Sequence, residues 1–254
     1  MNSITFIPLL GLPLVRPGDD LAALVARSLA DGDLQLADDD ILVVTQKIVS
    51  KAEDRFVDLA TVRPSPQAVE LAERTQKDPR LVEVILWDTA EVVRARPGVL
   101  IVQHRLGFIS ANAGVDRSNV AEPGRDVVLR LPANPDESAR RLRAALRELT
   151  GAAPALLIAD SHGRPWREGT VGAAIGLAGL APVQDLRGHL DLFGYQLQYT
   201  TVGFADQVVA AASLVMGQAD EGRPVVLVRG LAYQRDEGAS AGQILRPREA
   251  DLFR

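Results

Sequence analysis

The chain has 254 residues, no cysteine and a formal net charge of −5 at pH 7. That length buries the core of one large domain or two small ones, and the missing cysteine excludes disulfides, thiolate metal sites and a cysteine nucleophile. The acidic balance offers no electrostatic grip on nucleic acid or on an anionic membrane surface.

The opening stretch, MNSITFIPLLGLPLVRPGDD, lacks the basic region and long apolar core of a signal peptide. No apolar run approaches the roughly 18 to 20 residues that cross a bilayer, so a cytoplasmic protein is expected. ITFIPLL reads as a first strand and GLPLV as a tight turn set by Gly11 and Pro13. In DDLAALVARSLAD the apolar positions Leu21, Leu24, Val25 and Leu29 share one helical face. DDDILVVT is a continuous apolar run, the pattern of a fully buried strand. Three further helices start with a capping residue and a proline, at Ser65, Asp78 and Asn134, and the last ends at Gly151. AEVVRAR, VLIVQ, DVVLRL, PALLIAD, TVGAAIGLAG and PVVLVRG read as strands, and FADQVVAAASLVMGQADEG as a buried helix. Strand pairs mix with helices without strict alternation, which predicts an α+β fold of mixed sheets, with two interleaved lobes possible.

Four polar clusters interrupt this pattern. Gln46, Lys47, Ser50 and Lys51 stand just past the strand ILVV. In SANAGVDRSNV, small residues lead to Asp116, with Asn119 three residues on. PALLIAD ends in Asp160, followed by Ser161 and His162, with Arg164 and Arg167 nearby, while Trp87 and Trp166 read as packing residues, Trp166 oddly placed for one between two arginines. MGQADEG closes the buried helix with Gln218, Asp220, Glu221 and Gly222.

Each cluster also has a plainer reading. The lysines suit a solvated strand end, Asp116 and Asn119 an Asx turn, Asp160 and Ser161 a turn cap, and ADEG a polar helix end. His162 reads as a hydrogen-bonding loop residue. Together, however, two aspartates, a lysine pair, Asn119 and an acidic glycine-flanked loop suit a triphosphate held through a hard divalent cation. No G-x-x-x-x-G-K-[ST] loop and no strand-linked G-x-G-x-x-G is present to do so otherwise.

The stretches GLPLV with GDDL, DDILVVTQKIVSKAED, GFISANAGVDRSNV, ADSHGRPWREGTVGAAIGLAGLAPVQDLRG, MGQADEGRPVVLVRG and the ending READLFR resemble the coenzyme F420-0:L-glutamate ligase family over essentially the whole chain. The resemblance implies a single unit over 1–254 without the C-terminal reductase-like domain fused to some relatives. It implies GTP as nucleotide, two divalent cations (Mn²⁺ or Mg²⁺), stimulation by K⁺, and an interwoven homodimer. It places the nucleotide against Leu12, Pro13, Leu14, Val15, Gln46, Lys47, Lys51, Asn119 and the loop Met216, Gly217, Gln218, Ala219, Asp220, Glu221, Gly222 and Arg223. Metal positions fall on Asp116, Asp160, Ser161 and Gln218, and Asp116, Asp160 and Lys51 carry the catalytic roles.

The implied partners are the F420 precursor and L-glutamate. GTP would phosphorylate the precursor's lactyl carboxylate, and the glutamate amine would displace phosphate from the acyl phosphate, with further γ-linked glutamates possible. Arg164 and Arg167 are candidates for the acidic substrates. The competing readings are a metal-dependent phosphohydrolase, which would release phosphate without an acceptor, and a GTP-binding module that turns nothing over.

Overall fold

The computed structural model describes residues 3–120 and 124–251. The last three residues of READLFR therefore lie outside the described residues.

The central sheet is built from β1 (Thr5–Pro8), β2 (Ile41–Thr45), β8 (Ala155–Arg164), β9 (Arg167–Ala178) and β12 (Val225–Arg229), in the order β1-β12-β2-β8-β9. Only β2 and β8 run parallel; the other neighbours are antiparallel. The apolar run of β2 is continuous because both faces of the sheet are covered. Leu42 and Val44 pack with Val25 and Leu29 of α1 (Leu21–Asp31) and with Leu142 and Leu146 of α5 (Pro135–Thr150). Ile41 and Val43 face the other way, against Phe204, Val208, Val209 and Ala212 of α6 (Phe204–Met216).

A second layer comes from one contiguous stretch. Helices α3 (Pro66–Thr75) and α4 (Pro79–Trp87) pack on a three-stranded sheet of β4 (Thr89–Arg96), β5 (Val99–His104) and β6 (Ile109–Ala111). Its core holds Leu71, Val82, Ile85, Leu100 and Val102. A short ribbon of β3 (Phe56–Asp58) and β7 (Val127–Leu129) flanks this stretch. The Arg130 guanidinium grips both oxygens of Asp88, at 2.8 and 2.6 Å.

The α+β reading holds, and so do the three helix starts. Ser65, Asp78 and Asn134 each accept a hydrogen bond from the first turn, from the backbone N–H of Ala68, Arg80 and Glu137. Two local readings change. Lys47 and Lys51 are not on a strand end but on a short helix, α2 (Gln46–Ala52), too brief for its period to be read. Strand β8 does not end at Asp160 but runs on to Arg164, outgrowing the core as one arm of a hairpin with β9. A further small ribbon, β10 (Gln184–Asp185) with β11 (Thr201–Val202), bases an arm whose Leu192 and Phe193 are 98% and 94% exposed.

Among the described residues, no helix is long and apolar enough to cross a membrane.

Candidate active site

The strand register brings distant segments to one edge of the central sheet. Pro8 at the end of β1 pairs with Val226, Val225 at the start of β12 pairs with Val44, and Thr45 at the end of β2 pairs with Ala159. Leu12–Val15, Gln46–Lys51 and Met216–Arg223 therefore leave the sheet on the same side, where Asp160 and Ser161 continue along β8 beside β9. Val15 is buried in the cluster that holds Ile48 and Val49 of α2, while Leu14 points to solvent. Pro13 and Leu14, with Arg16 and Arg27, line a surface depression of about 490 Å³.

A fifth segment crosses over from the second layer. The backbone of Asp116 exchanges two hydrogen bonds with Leu129, each 2.9 Å. Before it, Asn112, Ala113 and Gly114 all take left-handed backbone, with φ of 54°, 52° and 67°. Such a run strains the two non-glycine residues, and a Cβ at Gly114 would sit 2.6 Å from a Leu131 methyl. The turn aims the Asp116 side chain at α2. There the Gln46 amide donates to its carboxylate at 2.8 Å, and the Lys47 ammonium lies 3.5 Å away. Lys47 also donates to the Ser118 hydroxyl at 3.1 Å, and the Ser50 hydroxyl donates to the Gln46 amide oxygen at 2.9 Å.

Two more hydrogen bonds close the group. Asn119 donates to the backbone oxygen of Ala219 at 2.7 Å, tying the Asp116 turn to the loop after α6. The Ser161 hydroxyl donates to the Gln218 amide oxygen at 2.8 Å, tying β8 to the same loop. That loop is shaped by Gly217, at φ 77°, whose Cβ would run into the Glu221 carboxylate. Glu221 in turn accepts from the Ala219 N–H at 2.8 Å, which holds its carboxyl below the usual range.

Burial pushes the Asp116 carboxyl up; Lys47 pulls it down and Asp160 pushes it up again. Burial, then the neighbouring Lys47, pulls the Lys51 ammonium down. Among the described residues Lys51 makes no ion pair and no side-chain hydrogen bond.

The chain matches the F420-0:gamma-glutamyl ligase family over residues 10–230. It is 47% identical over 253 residues to the coenzyme F420:L-glutamate ligase of Methanothermobacter thermautotrophicus, covering 99% of both chains. It is 49% identical over 243 residues to that of Methanopyrus kandleri, covering 94% of this chain and 93% of the relative. The chain belongs to the F420-0:gamma-glutamyl ligase family. The coenzyme F420:L-glutamate ligase of Methanocaldococcus jannaschii is 40% identical over 247 residues, 96% of this chain and 95% of the relative.

The donor set of this F420-0:gamma-glutamyl ligase family member suits a hard cation. Its oxygens belong to Asp116, Asp160, Ser161 and Gln218, and the chain has no cysteine to offer a thiolate. Among the described residues no group of three or more His, Asp or Glu side chains converges. Ligand phosphates and water would have to complete any shell, as is usual for Mg²⁺.

His162 is a strand residue, not a loop one: its Nε2 lies 3.0 Å from an Asp160 oxygen and its ring leans on Phe108. Arg164 and Arg167 stand apart, at the exposed hairpin tip. At the ordinary strand rise, Arg164 is roughly 13 Å beyond Asp160. Ser50 stood in the first polar cluster, whereas Ser118 had no sequence signal beyond lying two residues past Asp116.

Proposed function

We propose that this chain is a GTP-dependent ligase that joins the lactyl carboxylate of the F420 precursor to the amine of L-glutamate, and that it works in the cytoplasm. The single observation that carries the reading is that Asp116 meets Lys47, itself beside Lys51, and lies close enough to Asp160 to be pushed up by it, in a chain whose close relatives bear the name coenzyme F420:L-glutamate ligase.

A carboxylate does not acylate an amine at neutral pH until one of its oxygens becomes a leaving group. In the proposed reaction that oxygen attacks the γ-phosphorus of GTP, GDP departs, and an acyl phosphate remains. The glutamate amine attacks the acyl carbon, loses a proton, and inorganic phosphate leaves with the original carboxylate oxygen. The protein's part is placement and charge.

Lys51, with no carboxylate to neutralise it among the described residues, presents its ammonium to phosphate oxygens. Lys47, braced by Asp116 and Ser118, adds a second positive charge beside it. Asn119 and the loop Met216–Arg223 border the nucleotide, with the Leu12–Val15 segment as its apolar neighbour. Asp116, Asp160, Ser161 and Gln218 would hold two divalent cations, Mn²⁺ or Mg²⁺, which supply neutralisation of phosphate charge when bound. K⁺ stimulation and addition of further γ-linked glutamates belong to the same proposal.

A homodimer is proposed as well, supported by the projecting arm that exposes Leu190, Leu192, Phe193, Tyr195 and Tyr199. Leu192→Asp with Phe193→Asp should then halve the sedimenting mass.

The reaction is tested by GDP release from GTP with Mn²⁺ and L-glutamate, with and without precursor, alongside mass spectrometry of the deazaflavin. GDP formed only with the precursor, and a mass gain of one or more glutamyl units, is the expected result. GDP and phosphate released without precursor would instead identify a phosphohydrolase.

A further inference from the structure

The tip of the β8–β9 hairpin is not used by the chemistry above, yet it has an unusual build. Arg164 pairs with Arg167, so Pro165 and Trp166 form a two-residue loop. Proline suits the first loop position, but Trp166 takes φ 63° at the second, where glycine or asparagine is the usual occupant. A bulky side chain there is strained, and the residue is nonetheless 87% exposed.

Among the described residues, neither flanking guanidinium pairs with a carboxylate. Arg164 donates only to the backbone oxygen of Glu168, at 3.3 Å, and Arg167 makes no ion pair among the described residues. An exposed indole between two unneutralised guanidiniums is a surface for a planar aromatic group with negative charge close by. The same strand runs back to Asp160 and Ser161, so the tip stands on a rigid arm roughly 13–17 Å from the oxygens of the reaction site.

We propose that Trp166 is the stacking platform for the deazaflavin ring of the precursor, with Arg164 and Arg167 holding its anionic arm, so that the hairpin aims the far carboxylate at the site. This inference rests on the ligase reading. It assigns the substrate's ring end to a place that the nucleotide, gripped at Lys51 and the 216–223 loop, does not occupy.

The test compares Trp166→Ala, Trp166→Phe and Trp166→Gly with the unaltered full-length enzyme. Precursor binding is followed by deazaflavin fluorescence anisotropy, kcat and KM are measured for precursor and for GTP, and sedimentation is checked. Trp166→Ala should raise the precursor Kd and KM about tenfold, while kcat, the GTP KM and the sedimenting mass stay within about twofold. Trp166→Phe should recover most of the affinity. Trp166→Gly should bind precursor as poorly as the alanine variant while melting no lower than the parent, because the strain is gone. Replacing both arginines by alanine should weaken precursor binding further and flatten its salt dependence.

Unchanged precursor affinity in Trp166→Ala, in a preparation whose parent ligates normally, would overturn the inference and leave the ligase reading standing. A matching loss of GTP affinity, or a change in sedimenting mass, would also overturn it by assigning the indole to the nucleotide or to a second subunit. Failure of the parent enzyme to bind precursor at all would overturn both.

Discussion

Gln46 donates its amide to the Asp116 carboxylate at 2.8 Å across 70 residues of chain, and is itself held by the Ser50 hydroxyl. This contact joins the first turn of α2 to the left-handed Asn112–Gly114 turn, and so fixes the two halves of the site relative to each other. Gln46 is 1% exposed, so neither it nor Ser50 can readily exchange its partner for water. Gln46→Leu should cost about 1–3 kcal/mol in urea denaturation, because Asp116 loses a donor and Ser50 an acceptor. An unchanged midpoint would show that the contact does not hold the site together.

Lys51 and Lys47 separate binding from stability. Lys51 is half-buried, sits beside a like charge and has no counter-ion among the described residues, so Lys51→Met should leave the melting temperature unchanged or raise it. The same change should weaken GTP binding at least about tenfold, by loss of a charged hydrogen bond. Lys47→Met removes a cation already engaged with Asp116 and Ser118, and should lower the melting temperature instead. Calorimetric titration with GTP and a thermal scan on both variants check the contrast.

Gly114 should be intolerant of a side chain. Gly114→Ala meets both a positive φ and the Leu131 methyls, and should cost about 2 kcal/mol. Leu131→Ala opens a cavity of its own, yet combined with Gly114→Ala it should remove the steric part. The double variant should then lose less stability than the sum of the two.

Much of the fold was legible because local chemistry and global position agree. Ser65, Asp78 and Asn134 cap their helices as their sequence context requires, and the run ILVV is apolar throughout because α1 and α5 cover one face and α6 the other. The α2 helix was hidden because seven residues, QKIVSKA, give no readable period. The extension of β8 past Asp160 was hidden because DSHGR is polar, its pairing with β9 lying outside the core. For the site, the four clusters were visible as departures from the apolar pattern. Their assembly was not, since it depends on register at one sheet edge and on bonds such as Asn119 to Ala219, 100 residues apart.

His104 gives the fold a pH dependence. Burial holds its imidazole down to about 4, from 6.5 in the unfolded chain; Asp88 pulls it up and Arg130 down again. Between those values the unfolded chain binds a proton that the folded chain refuses. Stability from this group is therefore full above pH about 6.5, and is lost as pH falls toward about 4. From pH about 7.5 to about 4.5 the parent should lose about 2–3 kcal/mol more than His104→Gln, as read by urea denaturation at each pH.

The most direct measurement follows one oxygen atom. Precursor labelled with ¹⁸O in its lactyl carboxylate is turned over with GTP, Mn²⁺ and L-glutamate, and the released phosphate is weighed by mass spectrometry. One ¹⁸O transferred to phosphate for each amide formed is the predicted result, since the carboxylate oxygen leaves with the phosphoryl group. Amide formed with unlabelled phosphate would contradict activation of the carboxylate by GTP at this site.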